Sequence, residues 1–356
     1  MRSSERRGAM QFGTFLLMQS PSMRPSEEIY RRAVEITQAA DELGFQNMWL
    51  AEHHFSNYGY SSRPLQTVVH LADKTRRIRV GVAVIILPFH HPVIVAEEVA
   101  TADVLTGGRL DVGLGRGYQP YEFERLGLTI EQSRARWEEA VDIILKALTE
   151  ETFAYQGTYY QIPDTTVLPR PVQKPLPPLF VAGQNPESIV AAVRRGFDVV
   201  TGGAGVPFER LVQFGRLFVE SVQEYRPPRR LFLGINRPVY ITDDAAEARR
   251  VAQEVLWNMR VTLSLRRGYA RVASGRATAI PFENEPPLET LMRDWMTVGT
   301  PDQVYDQICR YRDEVGITHF NCSFWSGDMP HEKVLRSMER FAAEVMPRFA
   351  TQPAAV

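Results

Sequence analysis

The sequence has few cysteines, no extended run of like charge and no long hydrophobic segment. Its 2 cysteines, Cys309 and Cys322, are too few for a disulfide-based fold and fit a reducing cytoplasm. The longest apolar stretch, residues 80–89, is too short to cross a membrane. We therefore expect a soluble, cytoplasmic protein with no membrane partner.

Neither sign of charge dominates the chain. It carries 41 basic and 42 acidic residues, well mixed along its length, for a formal net charge of −1. A surface for nucleic acid would show as a basic stripe, so no nucleic-acid partner is expected. Residues 1–9 hold three arginines but no apolar segment of signal-peptide length, and we interpret them as a disordered leader.

Short apolar segments alternate with amphipathic ones along the rest of the chain. Several of the short segments are nearly continuously apolar, which is typical of parallel strands buried on both faces. The predicted strands are Gln11–Leu17, Gln46–Ala51, Arg79–Leu87, Arg109–Gly113, Leu179–Ala182, Asp198–Thr201, Leu231–Ile241 and Thr318–Cys322. Between them, Asn185 and Thr300 are each followed by proline, the pattern of a helix N-terminus.

This order of elements predicts an α/β fold, a single (β/α)8 TIM-barrel domain with insertions over residues 10–350. Such a barrel needs ~250 residues, so the chain has room for insertions. Residues 152–178 include a hairpin-like sequence at 155–159, and residues 266–295 are predicted to form a long loop near the active-site mouth. A doubly wound open sheet is the rival fold, but its dinucleotide fingerprint is missing after the first strand.

Two adjacent histidines follow the second predicted strand, in the sequence WLAEHHF at residues 49–55. The C-terminal ends of barrel strands face the active site, so His53 or His54 is a candidate general acid or base. A structural histidine with satisfied hydrogen bonds is the alternative. Neighbouring strand residues point to opposite sides, and no Cys/His cluster supplies further ligands, so no metal site is expected.

Three turns that follow predicted strands are weaker candidates. In GLGRGY, residues 113–118, glycines allow close backbone approach and Arg116 offers a forked donor to an anion, although an ordinary turn fits as well. At residues 183–188 a strand runs into a helix N-terminus, whose free N–H groups suit a phosphate. The sequence PFHHP at residues 88–92 fits a rigid strand-to-helix turn at least as well as a catalytic site.

Taken in order, several motifs resemble those of the bacterial luciferase-like flavin monooxygenases. They are FGTFLL at 12–17, WLAEHHF at 49–55, LP at 87–88 with HP at 91–92, and GGR at 107–109 leading to GRG at 115–117. VGTPD at 298–302, GI at 316–317 and VMP at 345–347 resemble the luciferase alpha subunit. Each motif is short, but together they keep the order and spacing of the family over nearly the whole chain.

The resemblance implies a TIM barrel that takes reduced FMN (FMNH2) from a separate flavin reductase and activates O2 as a C4a-peroxyflavin. One oxygen atom is then inserted into a small organic substrate. His53 matches the catalytic histidine of the family, and Ala83-Val84 matches a non-proline cis peptide under the isoalloxazine ring. The other cofactor-binding residues that it implies are Arg116, Arg134, Gly115, Gly183 and Gln184. Family members usually dimerise, so a homodimer is expected.

Three positions depart from luciferase. Gly115 stands where luciferase has a reactive cysteine, so light emission is not expected. Gln184 and Glu187 stand where luciferase has hydroxyl residues, which leaves arginines and backbone amides as the main phosphate contacts.

The substrate site and the exact chemistry are less constrained. We expect Phe15, Phe89, Tyr118, Trp257 and Trp325 to line an apolar substrate pocket, and the loop at 266–295 to close over it and exclude water. The main alternative is a hydride-transfer oxidoreductase that uses the deazaflavin coenzyme F420. A non-catalytic flavin-binding subunit and a metal-dependent hydrolase barrel are also compatible with the fold.

Overall fold

The computed structural model describes residues 10–203 and 205–350, so the expected leader at residues 1–9 lies outside the described residues. The strands are β1 (Gln11–Leu16), β2 (Asn47–Leu50), β3 (Arg79–Ile86), β4 (Leu110–Gly115), β5 (Phe153–Gln156), β6 (Gln161–Thr165), β7 (Leu179–Ala182), β8 (Asp198–Gly202), β9 (Leu233–Ile241), β10 (Val272–Ala273), β11 (Arg276–Ala277), β12 (Thr297–Gly299) and β13 (His319–Ser323). The α-helices are α1 (Ser26–Leu43), α2 (Pro64–Asp73), α3 (Pro92–Leu105), α4 (Pro120–Arg125), α5 (Ser133–Thr149), α6 (Pro186–Arg194), α7 (Phe208–Tyr225), α8 (Ala245–Arg267), α9 (Leu288–Asp294), α10 (Pro301–Arg310) and α11 (His331–Arg340).

Shorter helical turns complete the secondary structure. Residues Leu87–Phe89, Ile130–Gln132 and Met346–Phe349 form 3₁₀ turns, and Tyr311–Val315 and Phe341–Val345 form π-helical turns. Among the residues that the structure describes, no helix combines the length and apolarity needed to cross a membrane.

Eight parallel strands close into a barrel in the order β1, β2, β3, β4, β7, β8, β9 and β13. Pairing of β13 with β1 completes the circle. The predicted (β/α)8 barrel is therefore confirmed, and each predicted strand overlaps one barrel strand. Outside the two insertions, the strand β12 was not predicted; it pairs with Val239–Ile241, the part of β9 beyond its contact with β13. Three residues are too few for a periodic pattern to show.

The two predicted insertions differ in outcome. The first contains an antiparallel hairpin of β5 and β6, as predicted. The second is more ordered than the predicted loop, because α8 extends to Arg267 and a hairpin and α9 follow. We call β10–β11, residues 272–277, the rim hairpin. Ser274 and Gly275 connect its strands with positive φ angles, as a tight type I′ turn requires.

Asn57, in the loop after β2, holds the rim hairpin in place. Its backbone N–H donates to the Gly275 carbonyl at 2.7 Å, and its Oδ1 accepts from the Ala277 N–H at 2.9 Å. Ala277 packs with Leu17 and Tyr58, so the insertion covers the C-terminal rim of the barrel.

At the opposite end, residues at or just before the starts of the strands form paired charges and one neutral hydrogen-bond donor, Asn47. We call this set the floor cluster: Asn47, Arg79, Asp111, Asp198 and Arg229. Asp111 is 2% exposed and accepts from Arg79 Nη2 at 2.6 Å and from Asn47 Nδ2 at 3.1 Å. Asp198 accepts from Arg229 Nη2 at 2.9 Å. Burial raises the pKa of both carboxyls against the opposing effect of their arginines. Each charged side chain in the floor cluster therefore pairs with a side chain of opposite charge, and Asp111 also accepts a hydrogen bond from the neutral Asn47.

Candidate active site

A cavity of about 490 Å³ opens among the C-terminal halves of the barrel strands. This volume falls within the range of roughly 300–1,000 Å³ found for ligand pockets. All eight barrel strands contribute to its wall. Nine of the residues expected from the sequence line it: His53, Ala83, Val84, Gly115, Arg116, Arg134, Gln184, Phe15 and Tyr118.

Four expected residues do not line this cavity. Gly183 precedes Gln184, and a Cβ there would point at Ile189 and Val199 instead. Trp325 is 2% exposed and packs in the main core, with its indole N–H donating to the Gly327 carbonyl at 3.1 Å.

The other two are Phe89 and Trp257. Phe89 packs edge-on against Phe123 with ring centroids 4.7 Å apart, behind the cavity wall. Trp257 packs on the apolar cluster under the rim hairpin. Trp325, Phe89 and Trp257 therefore pack against other side chains and do not line the cavity. The aromatic residue type alone does not distinguish these two roles.

His53 lies on the cavity wall, 6% exposed, at the point where the chain leaves β2. Its Nδ1 is 3.1 Å from Glu122 Oε1 and 3.0 Å from Gln119 Nε2. Both partners come from the turn that begins α4, and Glu122 is itself 1% exposed. Glu122 Oε1 also accepts from the backbone N–H of His54 at 2.8 Å. The imidazole is thus held by a buried carboxylate.

This carboxylate decides which ring nitrogen carries the proton. A carboxylate only accepts, and a hydrogen bond to a charged acceptor is stronger than one to a neutral group. The Nδ1–H of His53 therefore donates to Glu122, and the Gln119 amide nitrogen, which is itself only a donor, makes no hydrogen bond to Nδ1 in this tautomer. Its Nε2 makes no hydrogen bond to any residue in 10–203 or 205–350, which leaves a lone pair free to accept a proton in the cavity.

A second buried carboxylate, Glu52, ties together the ends of β2 and β3. It accepts from His54 Nε2 at 2.9 Å, from His90 Nε2 at 2.7 Å and from the Ile86 N–H at 2.8 Å. Burial alone would raise the pKa of Glu52, but these hydrogen bonds outweigh it and hold the pKa at about 2. Glu52 is therefore an anion that fixes strand ends beside the cavity, and His54 and His90 are its partners.

The mouth of the cavity carries Arg116, after β4, and Arg134, on α5. Neither makes a hydrogen bond or an ion pair within the described part of the chain. Partial burial, and then the charge of Arg134, lower the pKa of Arg116, while Glu187 opposes this. We call these two residues the arginine pair. Two neighbouring guanidinium groups without a carboxylate partner form a site for an anion.

Glycines bring backbone to the cavity surface beside the arginine pair. A Cβ on Gly113 would overlap the Val82 carbonyl, and a Cβ on Gly115 would overlap the Val84 side chain. The peptide bond between Ala83 and Val84 is cis, as the resemblance implied. The position that holds a cysteine in luciferase therefore has no space for a side chain in this protein.

Several buried polar atoms along this wall have no partner among the residues described. Three of them are acceptors, Gln184 Oε1, Thr201 Oγ1 and Asn236 Oδ1, and these three residues line the cavity together with Arg237, whose Nε and Nη2 are also unpartnered. Buried polar atoms are nearly always hydrogen-bonded, so these acceptors point to a polyhydroxylated ligand. A flavin mononucleotide fits this set, because its ribityl chain carries hydroxyls and its phosphate suits the arginine pair.

Some of these residues could not be found from the sequence. Glu122 and Gln119 lie far from His53 along the chain, and no spacing pattern links them. Asn258, Thr262 and Arg266 of α8 also line the cavity. Their four-residue spacing was a visible signal for one helix face. No group of three or more His, Cys, Asp or Glu side chains within 10–203 and 205–350 is arranged to hold a metal ion.

Comparison with known proteins gives a consistent answer. The family model described as "Luciferase-like monooxygenase" matches residues 10–319. An uncharacterised protein, y4vJ of Sinorhizobium fredii, is 30% identical over 95% of this chain and 97% of its own length. The oxygenase component of the flavin-dependent trigonelline monooxygenase of Acinetobacter baylyi is 29% identical over 96% of each chain. The alkanal monooxygenase alpha chain of Photorhabdus laumondii is 25% identical over 95% of this chain and 97% of its own.

Solved structures agree. The monooxygenase RslO1 from Streptomyces bottropensis superposes with a TM-score of 0.83 at 29% identity, covering 96% of this chain and 100% of its own. The oxygenating constituent of 3,6-diketocamphane monooxygenase of Pseudomonas putida, in complex with FMN, gives a TM-score of 0.78 at 20% identity over 96% and 99%. The second likeness shows the fold alone. With a family model that spans most of its barrel, this chain belongs to the luciferase-like monooxygenases.

Proposed function

We propose that this protein is the oxygenase component of a two-component monooxygenase, which binds FMNH2 and inserts one oxygen atom of O2 into a small organic substrate. One observation carries the proposal: a single cavity connects the unpartnered arginine pair to His53, whose Nε2 is free. The names of the relatives support it, since the Acinetobacter protein is a flavin-dependent oxygenase component.

The residues divide the work along the cavity. The arginine pair would hold the phosphate, and Gln184, Thr201 and Asn236 would accept hydrogen bonds from ribityl hydroxyls. Gly113 and Gly115 line the cavity and let β4 pack directly against Val82 and Val84 of β3. Bound reduced flavin supplies two electrons, so that one oxygen atom enters the substrate and the other leaves as water. The enclosed, largely apolar wall limits the entry of bulk water.

His53 is the residue that moves a proton. Its Nε2 accepts a proton from a group in the cavity, and the Glu122 carboxylate on Nδ1 stabilises the imidazolium that results. The same nitrogen then returns the proton. Glu122 acts through His53 as a positioning residue, in the way that a buried carboxylate orients an imidazole in other catalytic sites.

The proposal includes two partners. A separate reductase supplies FMNH2, as the designation "oxygenase component" of the Acinetobacter relative suggests. Two copies of the chain associate through α2 and α3, where Ile94 and Leu105 are 50% and 64% exposed beside a groove lined by Leu65 and Val69. Sedimentation should give a dimer that Leu105→Glu dissociates, and a wild-type monomer would contradict this assignment. The two free cysteines suit a reducing cytoplasm.

The decisive experiment mixes purified protein and photoreduced FMN with oxygenated buffer in a stopped-flow instrument. We expect oxidation of protein-bound flavin in two resolved phases, at rates different from those of free FMNH2. Oxidation identical to that of free FMNH2 would contradict the proposal. Reduced F420 in parallel tests the alternative, because tight F420 binding without O2 consumption would indicate hydride transfer.

The role of His53 is tested in the same instrument. His53→Ala should slow proton-dependent turnover by about 100-fold or more, with little change in FMN affinity. His91→Ala is the matched control, since His91 is exposed and lies outside the cavity. Full turnover by the His53 variant would show that its assigned role is wrong.

A further inference from the structure

The last turns of α8 place a polar stripe on the cavity wall. Asn258, Thr262 and Arg266 follow each other at four-residue spacing, so they share one helix face, and all three line the cavity. Their neighbours Val261 and Leu265 are fully buried in an apolar cluster. Polar groups next to such a cluster are costly unless a partner satisfies them.

Arg266 lacks such a partner. Its guanidinium carbon lies 4.8 Å from the centroid of the Tyr118 ring, and its Nε is buried without a hydrogen-bond acceptor among the described residues. None of the described carboxylates lies within ion-pair distance of it. Arg260, less than two turns earlier on the same helix, is paired with Glu285 at 2.6 Å. The same helix therefore carries one arginine with a carboxylate partner and one without.

The hydroxyl groups around Arg266 do not supply the missing anion. Tyr58 and Tyr118 lie with their hydroxyl oxygens 3.1 Å apart, and Thr262 Oγ1 donates to Tyr58 at 2.9 Å. Burial raises the pKa of both tyrosines, so both are neutral at physiological pH. They offer neutral hydrogen-bonding groups beside one fixed positive charge.

The same end of the cavity also offers an apolar surface. Phe15, Leu17 and Ala51 line it and belong to the cluster that packs against α8. The His53 ring lies edge-on to both tyrosines, with centroids 4.6 Å from Tyr58 and 5.8 Å from Tyr118. A molecule held at Arg266 therefore lies beside His53.

We propose that Arg266 binds an anionic group of the substrate, and that the substrates are organic acids with an apolar body and a carboxylate. A planar carboxylate matches the forked donors of one guanidinium. The arginine pair serves the flavin phosphate separately. This inference rests on the proposed function and deepens it, because it assigns a substrate class to the same cavity.

The test compares carboxylic acids with their neutral amides. Flavin-free protein is titrated calorimetrically, in phosphate-free buffer, with benzoate and benzamide, cyclohexanecarboxylate and its amide, and octanoate and its amide. At least one acid should bind about tenfold or more tightly than its amide, the range expected for a hydrogen bond to a charged group. Equal binding of every acid and its amide would overturn the proposal.

Variants locate the preference. Arg266→Gln should lose it, whereas Arg267→Gln, the same charge change at the exposed neighbouring residue, should keep it. Arg116→Gln should also keep it, which excludes binding at the arginine pair. Arg266→Lys retains the charge without the fork and should keep only part of the preference, and it serves if the glutamine variant does not fold. A full preference in either Arg266 variant would overturn the proposal.

Failure of this inference is distinguishable from failure of the proposed function. The titrations contain no flavin, and the stopped-flow reaction of FMNH2 with O2 contains no organic acid. Selective acid binding without flavin reactivity would refute the monooxygenase. Flavin reactivity without acid preference would refute only the role of Arg266.

Discussion

The two ends of the barrel provide arginine with different surroundings. At the N-terminal end, Arg79 and Arg229 each meet a buried aspartate at 2.6–3.0 Å. At the C-terminal end, Arg116 and Arg134 have no carboxylate partner within the described residues, although Glu187 is near enough to influence the first of them. The paired end stabilises the fold, and the unpaired end is left for a ligand. This division agrees with the general separation of stability and activity between the two faces of TIM barrels.

Glu52 shows that pairing, rather than position, is what distinguishes these groups. It lies at the C-terminal end, beside the cavity, yet two histidines and a backbone N–H satisfy it. We therefore expect its loss to behave like a loss from the floor cluster. Removal of a paired charge should lower stability, and removal of an unpaired charge should lower ligand affinity.

The largest effect is expected from Asp111→Ala. It leaves Arg79 without its buried partner, which should lower the free energy of unfolding by about 3–5 kcal/mol. Urea denaturation measures this loss. Asp73→Ala is the control, because Asp73 pairs with Lys74 on the surface, where solvent screens the ion pair and its contribution is small. If both variants are equally stable, the floor cluster does not stabilise the barrel.

Glu52→Gln should lower the free energy of unfolding by about 3 kcal/mol at pH 7, since each pKa unit corresponds to about 1.4 kcal/mol. The pKa of Glu52 is lower in the folded protein than its ordinary value of 4.5. Its contribution is therefore complete above pH 4.5 and is lost as pH falls towards 2. The difference in the free energy of unfolding between the two proteins should be smaller at pH 3 than at pH 7, and a constant difference would contradict the assignment.

Arg116→Gln should reduce FMN affinity by about ten- to hundredfold, because a charge-assisted hydrogen bond is lost. Its free energy of unfolding should change by no more than about 0.5 kcal/mol, as for an ordinary surface substitution. Quenching of FMN fluorescence and urea denaturation measure the two quantities. Arg136→Gln, on α5 but outside the cavity, is the matched control. If Arg116→Gln loses much stability and keeps its FMN affinity, Arg116 behaves like a paired arginine of the floor cluster and the comparison is wrong.

The smallest effect has the opposite sign. Arg134→Gln removes one of two like charges, so in phosphate-free buffer of low ionic strength it should raise the free energy of unfolding by about 0.5 kcal/mol. High salt should abolish this gain by screening. Added inorganic phosphate should raise the melting temperature of the wild type more than that of the variant, as thermal denaturation will show. Destabilisation without phosphate would show that Arg134 has a structural partner.

The barrel strands could be predicted because they are largely buried on both faces and therefore rich in apolar residues, as β3 is after Arg79. β12 and the rim hairpin could not, since two or three residues carry no periodic signal. The hairpin depends on Asn57, whose hydrogen bonds join segments more than 200 residues apart. Such pairing follows from the closed barrel, which the local sequence does not contain.

The site followed a similar rule. Residues at strand ends, such as His53 and Arg116, could be predicted from the sequence because the barrel brings strand ends together. Glu122 was not, because only the path of the chain after β4 carries it to His53. Trp325 was wrongly expected in the cavity. Phe15 and Trp325 are both aromatic, but only Phe15 lines the cavity, and tertiary packing places Trp325 in the core. The roles of the lining residues stay predictions until the variants are measured.

The contact between Gly115 and Val84 also constrains how this site can change in evolution. A side chain at position 115 overlaps the Val84 side chain, so any substitution of Gly115 is harmful while Val84 is present. Shortening Val84 first removes the obstacle and leaves a small void. A lineage can therefore gain a reactive side chain at this point of the cavity wall only through that order of substitutions, and the two positions should vary together among relatives.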